Sequence, residues 1–295
     1  KASHAAGHGS ALVHEALSQL DDVVAELRHD AERSGRWEKT HLWIVSDHGH
    51  SAVTGHDDLA VRFRNAWGYR TLAHPWTLGH GHEVAVMVSG NAMAHVYVEL
   101  EQRTRPFWPA LRARWEAVAD ALLARPSVDL LVLPHADDAV EVRSARRGIA
   151  MIRRRGGRYS YQPLDGDPLG IGPMDWAGSR DAFDVTAASD YPDAVVQIAQ
   201  LAAAARSGDL VVSAAPGWDF RSRYEPIKHC SSHGGLHRDH MLVPMLVNQP
   251  VRQPPRRTVD VMPSALVALG LPVPPGLDGR SFVSESASLA LSGVS

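Results

Sequence analysis

The stretch HLWIVSDHG, residues 41 to 49, decides the fold class of this chain. HLWIVS is a β-rich run, and its apolar continuity predicts a strand covered on both faces, as in a parallel sheet. Asp47, His48 and Gly49 follow at the point where this strand should end. Because open α/β sheets bind ligands outside the carboxyl ends of their strands, Asp47 and His48 are candidate functional residues. An ordinary turn is the alternative.

Composition limits the classes of function. The 295 residues are 44% hydrophobic with a formal net charge of -3, which suits one large globular core or two modest ones. Thirty basic side chains against 33 acidic ones argue against a nucleic-acid partner, and the run Arg153, Arg154, Arg155 is interpreted as a solvated turn. No apolar segment approaches the ~20 residues of a membrane helix. Compartment and oligomeric state stay open.

The remaining patterns alternate between helix and strand, which predicts an α/β fold. An apolar stripe at three- and four-residue spacing follows Ser10 and predicts a helix of about five turns. The turn-rich residues 141 to 175 predict a smaller inserted α+β subdomain. Other helices are predicted over 109–125, 194–205 and 259–270, and other strands over 83–90, 94–100, 128–133, 209–215 and 241–248.

The 17 histidines are the unusual feature of the composition. His48 follows Asp47 at a predicted strand end, His233 lies in the glycine-rich loop CSSHGGLHRDH before a predicted strand, and His4 lies in SHAAGHG just before the first helix. Imidazole nitrogens beside a carboxylate suit zinc or manganese. Each histidine alone is equally compatible with a hydrogen-bonded loop residue.

Four motifs in order add a family resemblance: SHAAG followed by LSQLDDVV, IVSDHG, SHGGLHRDHMLVPML, and VDVMPSALVALGLPVPPGLDGRSF. Together they resemble the alkaline phosphatase superfamily, and within it the type I phosphodiesterase and nucleotide pyrophosphatase branch. The resemblance implies an alkaline-phosphatase-like central sheet flanked by helices. It also implies a metal-dependent hydrolase acting on a small-molecule phosphate ester.

The resemblance further implies two divalent metal ions, zinc by preference with manganese as the alternative. Asp47 and His48 of SDHG match the ligands of the first ion, and His4 and His233 match ligands of the second. Two ions about 3.5–4 Å apart suit an in-line phosphoryl transfer. The alternatives, as ligands or as partners of ligands, are His8, His50, His237 and His240.

The sequence also departs from the family pattern. The family's carboxylate four residues before the first histidine would stand one position ahead of Lys1, and the nucleophile would lie farther upstream. We therefore expect an N-terminally truncated piece of an enzyme that is inactive alone. Its expected parts are a core segment over 1–68 with metal-ligand motifs, core strands and the insertion over 69–225, and a C-terminal core segment over 226–295.

Two other classes of function remain open. Sulfatases share the superfamily fold, but they need a C/S-x-P-x-R motif, which the surroundings of Cys230 do not match. A non-catalytic α/β domain with ordinary loop histidines is the second. Convergence of His4, Asp47, His48 and His233 on one pocket would favour the enzyme.

Overall fold

The structure is a computed structural model of the 295-residue chain, and it describes residues 1–73, 80–102, 104–223, 225 and 227–284. The chain divides into two units: Lys1–Ala16 with His48–Leu242, and Leu17–Asp47 with the residues from Val243 onward. The boundaries predicted after residues 68 and 225 remain a prediction.

The helices are α1 (Ala2–Ala6), α2 (Ala11–Arg33), α3 (Leu59–Val61), α4 (Trp108–Leu123), α5 (Ser179–Thr186), α6 (Ala194–Ala203), α7 (Arg238–Met241) and α8 (Val261–Ala268). Short 3₁₀ turns cover Trp37–Lys39 and Thr258–Asp260, and a π-turn covers Arg62–Ala66. The long helices predicted from the sequence are therefore confirmed. Among the described residues, no helix combines the length and apolar content that crossing a bilayer requires.

The strands are β1 (Trp43–Val45), β2 (Ser51–Ala52), β3 (Gly55–His56), β4 (Thr71–Leu72), β5 (Val84–Ser89), β6 (Met93–Tyr97), β7 (Val128–Ala136), β8 (Ala139–Ser144), β9 (Gly148–Arg155), β10 (Arg158–Gly166), β11 (Met174–Gly178), β12 (Leu210–Ala214), β13 (Trp218–Asp219), β14 (Ser231–Ser232) and β15 (Met245–Val247).

A nine-stranded mixed sheet dominates the first unit, in the order β11-β10-β9-β8-β7-β12-β6-β5-β4. The pair β4–β5 is parallel and the other pairs of this sheet are antiparallel. Residues 141–175, predicted as a smaller inserted subdomain, contribute antiparallel strands that continue this sheet through β8 to β11. The α/β fold class with a large central sheet flanked by helices is confirmed.

Two apolar layers cover the sheet because side chains alternate between the faces of a strand. In β7, Leu131 and Leu133 pack in the core with Trp108 and Trp115 of α4. Leu130 and Val132, the intervening residues, pack in a second core that includes α6. Helices pack on both faces of the sheet and bury its central strands. The loops at the ends of these strands can therefore carry polar groups.

The prediction of a buried parallel strand at residues 41–46 is wrong. β1 has three residues and pairs antiparallel with β15, with Ile44 opposite Leu246. Val45 is 41% exposed and Leu246 is 60% exposed. An apolar run indicates a strand that could be buried. The direction of that strand and the burial of its two faces depend on partner segments, which a local pattern does not specify.

Candidate metal centre

The pairing of β2 with β14 brings two distant histidines together. In this antiparallel ladder Ser51 is opposite Ser232 and Ala52 is opposite Ser231. His50 immediately precedes β2 and His233 immediately follows β14, so extending the register places them opposite each other. A backbone hydrogen bond of 2.7 Å from Cys230 N to His4 O holds α1 beside the same strand.

The result is a cluster of three imidazoles. Each of His4, His50 and His233 offers a ring nitrogen, and these atoms lie within 4.8 Å of one another. The Nε2 atoms of His4 and His50 are 3.4 Å apart. Within the described part of the chain, this is the one group of three or more metal-ligating side chains with such spacing.

Hydrogen bonds fix which nitrogen of His4 carries the proton. Its Nδ1 lies 2.9 Å from the carbonyl oxygen of Ser231. A carbonyl oxygen only accepts hydrogen bonds, so Nδ1 is the donor. The Nε2 atom of the neutral ring therefore carries a lone pair, which is the state that binds a metal.

The same serine fixes the proton of His50. The Ser231 hydroxyl donates to the carbonyl oxygen of Ser3, so the 3.0 Å bond between the two hydroxyls is donated by Ser3. Ser3 has then used its single hydrogen, so its 2.7 Å contact with His50 is donated by Nδ1 of His50. The two Nε2 lone pairs consequently face each other.

Burial keeps His4 and His50 neutral. Desolvation, followed by repulsion from His4, His233 and His48, lowers the pKa of His50 to about 3. Desolvation and the neighbouring His229 also lower the pKa of His4. At neutral pH these rings are unprotonated, so no proton has to leave before a cation binds.

His48 belongs to the same cluster through ring stacking. Its ring lies 3.6 Å from that of His233, with 7° between the planes. Its Nδ1 is 2.9 Å from the carbonyl oxygen of Gly49, which again leaves Nε2 as the acceptor. Asp47, the preceding residue, is exposed and belongs to the second unit.

The structure thus brings together the predicted residues His4, His48 and His233 in one unit, with His50, which was one of the alternatives. His8, another alternative, is exposed. His240 is buried and structural: its Nδ1 accepts from Gly235 N at 3.0 Å, so its Nε2 donates to Ser51 at 2.6 Å. His237 is the N-cap of α7 and accepts from Asp239 N.

A tight turn positions His233. Its N–H donates to Gly90 O, and its carbonyl accepts from Ala92 N, both at 2.9 Å. Gly90 has φ +59°, and a Cβ there would lie 2.7 Å from His233 Nδ1. Only glycine allows this close approach.

Sequence reasoning missed a polar group behind His4. The His229 ring lies 4.4 Å from that of His4. Its Nδ1 is 2.7 Å from the amide nitrogen of Asn91, which also donates to the buried Asp219 at 3.0 Å. Desolvation raises the pKa of Asp219. The spacing of His229 four residues before His233 was the only local signal.

The donor set fits a divalent cation. Two imidazole nitrogens on a tetrahedral zinc at 2.0–2.1 Å stand roughly 3.3 Å apart, and the observed Nε2 separation is 3.4 Å. Hydrogen-bonded Nδ1 atoms, as in His4 and His50, are the usual outer partners of metal-bound histidine.

The fold and this cluster define an α/β protein with a candidate histidine metal centre at loops of its main unit. The model of the type I phosphodiesterase / nucleotide pyrophosphatase family matches residues 1–145. This match confirms the family resemblance predicted from the motifs.

Solved structures supply two further similarities. Murine ectonucleotide pyrophosphatase / phosphodiesterase 5 matches with 13% identity and a TM-score of 0.44, over 92% of this chain and 52% of that one. An inactive variant of the same murine protein, in complex with AMP, matches with 12% identity, the same TM-score and the same coverage. This chain therefore spans about half the length of these solved relatives. No curated protein sequence matches the chain significantly.

Proposed function

We propose that this chain carries part of the metal centre of a phosphoric ester hydrolase, of the phosphodiesterase or nucleotide pyrophosphatase type. The observation that carries the proposal is the pair of Nε2 lone pairs of His4 and His50, facing each other at 3.4 Å. Both residues lie within the part of the chain that the family model matches. The substrate class proposed is a small phosphoric diester.

His4, His50 and His233 would hold one divalent ion, and Asp47 with His48 would contribute to a second, as the SDHG motif implies. Zinc is the preferred ion and manganese the alternative. When bound, such ions offset the negative charge that develops on the phosphoryl oxygens during in-line transfer.

The chain's own residues have three roles in this proposal. The Ser231 carbonyl orients His4, and the two serine hydroxyls orient His50. The turn at Gly90 orients His233. Holding ligands in one arrangement before the cation arrives lowers the entropy lost on binding and favours a single coordination geometry.

Zinc titration of the chain tests the metal centre directly. We expect zinc binding that weakens at least tenfold in His50→Ala, because one of three imidazole ligands is lost. His14→Ala, an exposed histidine of α2, is the matched control and should bind zinc as the wild type does. Equal affinities in wild type and His50→Ala would overturn the assignment.

The reaction is tested separately on the product of the complete reading frame. Bis(p-nitrophenyl) phosphate should be hydrolysed in the presence of zinc or manganese, and both His50→Ala and His233→Ala should abolish turnover. A protein that binds zinc through these histidines and hydrolyses no phosphoric ester would retain the metal site but exclude the proposed reaction.

A further inference from the structure

The first unit contains a cavity that is lined by none of the proposed metal ligands. It has a volume of about 420 Å³ and lies where β7 begins and where β8 and β12 end. Cavities that take small organic ligands have volumes of about 300–1,000 Å³. Its size is therefore sufficient for a small organic molecule.

Part of the cavity wall is apolar. Leu123 and Pro126 come from the end of α4 and the loop after it, Val128 from the start of β7, and Pro216 from the loop after β12. These side chains would exclude water from the body of a ligand. Burial of apolar ligand surface supplies most of the affinity in such sites.

The charged part of the wall contains more cations than anions. Arg125, Arg146 and Arg147 line the cavity together with Asp129 and Asp190. A guanidinium group that is not paired with a carboxylate favours an anionic ligand, because its planar donors match the two oxygens of a carboxylate or phosphate.

Two of these arginines are already held in place. Arg147 donates to Asp129 at 2.8 Å and to the carbonyl oxygen of Pro168 at 2.8 Å. Arg125 donates through Nε to the buried Asp57. Bonds of this kind limit the rotamer freedom of a side chain, so less entropy is lost when a ligand binds.

Arg146 differs from both. It is exposed, and within the described residues its guanidinium makes no hydrogen bond or ion pair. Tyr191 lines one side of the cavity and donates its hydroxyl to Asp129 at 2.7 Å, so each oxygen of that carboxylate accepts from an internal donor. Arg146 is therefore the cation available to an incoming anion.

We propose that this cavity binds a small organic anion in which a carboxylate or phosphate group is joined to an apolar body. The oxyanion pairs with Arg146 at the rim, next to Arg147, and the body occupies the apolar wall. This site is independent of the metal centre proposed above.

The test is calorimetric titration of the chain after metal removal by EDTA. Phenylphosphonate and phenylacetate are the two probes. Inorganic phosphate represents the oxyanion without an apolar body, and benzyl alcohol represents the apolar body without an oxyanion. We expect at least one of the two probes to bind with one-to-one stoichiometry. Its affinity should be at least tenfold higher than that of inorganic phosphate or of benzyl alcohol. Whichever probe binds more tightly identifies the oxyanion as phosphate-like or carboxylate.

Variants locate the site. Arg146→Gln should weaken binding about tenfold, since a charge-assisted hydrogen bond is lost. Arg153→Gln removes an equally exposed arginine near the opposite end of β9 and should change nothing. Asp190→Asn should tighten binding several-fold, because it removes a lining carboxylate that repels the anion.

Three results would overturn the proposal. The first is unchanged binding in Arg146→Gln with an unaltered melting temperature. The second is an equal loss in Arg153→Gln, which would indicate attraction by overall charge. The third is loss of binding in His233→Ala, which would place the anion at the histidine cluster. Zinc binding by the same samples reports separately on the proposed metal centre.

Discussion

The Nε2 atoms of His4 and His50 face each other at 3.4 Å while both Nδ1 atoms are committed to groups of Ser231 and Ser3. Two acceptor lone pairs in this arrangement repel each other unless a cation or a shared proton lies between them. Burial opposes protonation here and lowers the pKa of both rings. A divalent cation, as proposed for this centre, would relieve the repulsion.

Ser231→Ala should weaken zinc binding by about 10–100-fold, although Ser231 would not touch the metal. Loss of its hydroxyl frees Ser3 to donate to His50 Nδ1, which moves the ring proton to Nε2. Competitive zinc titration measures the effect. Ser232→Ala, the adjacent buried serine, is the control, and equal affinities in the two variants would show that the hydroxyl chain does not set the tautomer.

Gly90→Ala should damage both stability and zinc binding. A left-handed backbone costs a non-glycine residue about 1–2 kcal/mol, and the new Cβ would meet His233 Nδ1 and O at 2.7 Å. Gly157→Ala shares the positive φ, at +74°, but meets nothing within 4 Å. Urea unfolding should therefore show losses in both variants, and zinc titration a loss in Gly90→Ala alone.

If Gly157→Ala weakened zinc binding as much as Gly90→Ala, the effect would come from general destabilisation. The approach of His233 to the turn would then have no special role.

The metal-free chain should lose stability as the pH falls from about 6.5 towards 4. Burial lowers the pKa of His240 in the folded chain to about 4, whereas an unfolded histidine titrates near 6.5. The unfolded state therefore binds the proton first, and stability declines by about 1.4 kcal/mol per pH unit for this group within that window.

Urea unfolding at several pH values measures this decline. His240→Gln should reduce the slope between pH 6.5 and 4, and His14→Gln, at an exposed site, should leave it unchanged. An identical slope in wild type and His240→Gln would contradict a buried neutral His240.

Asp57→Ala should destabilise the fold by about 1–3 kcal/mol, because it leaves the buried Ser127 hydroxyl and the partly buried Arg125 without their partner. The Asp57 carboxylate is 2% exposed and accepts from Arg62 at 2.9 Å, from Ser127 at 2.5 Å and from Arg125. Burial alone would raise the pKa of Asp57, but these hydrogen bonds outweigh it and lower the pKa.

Chemical denaturation of Asp57→Ala checks this value. Asp137→Ala, an exposed aspartate in the turn between β7 and β8, should change the free energy of unfolding by no more than about 0.5 kcal/mol. A comparable loss in both variants would mean that burial of the Asp57 network contributes nothing.

The sequence by itself determined the α/β class, the long helices and the family resemblance. Helical periodicity after Ser10 and the apolar runs are local properties, and they predicted α2 and strands such as β5 and β7 correctly. The order of the motifs indicated a family resemblance, and the match of the family model to residues 1–145 confirms that resemblance. Asp47 and His48 became candidates because they directly follow a β-rich run.

Only the tertiary structure decided how the histidines meet. His50 joins the cluster because β2 pairs with β14, two strands separated by more than 170 residues. The protonated nitrogens of His4 and His50 depend on groups of Ser231, which no spacing rule connects to them. Strand direction failed for the same reason in β1, whose antiparallel partner β15 is equally remote. Periodicity reports what one segment can bury, whereas register, tautomer and neighbouring rings arise from contacts between segments that fold together.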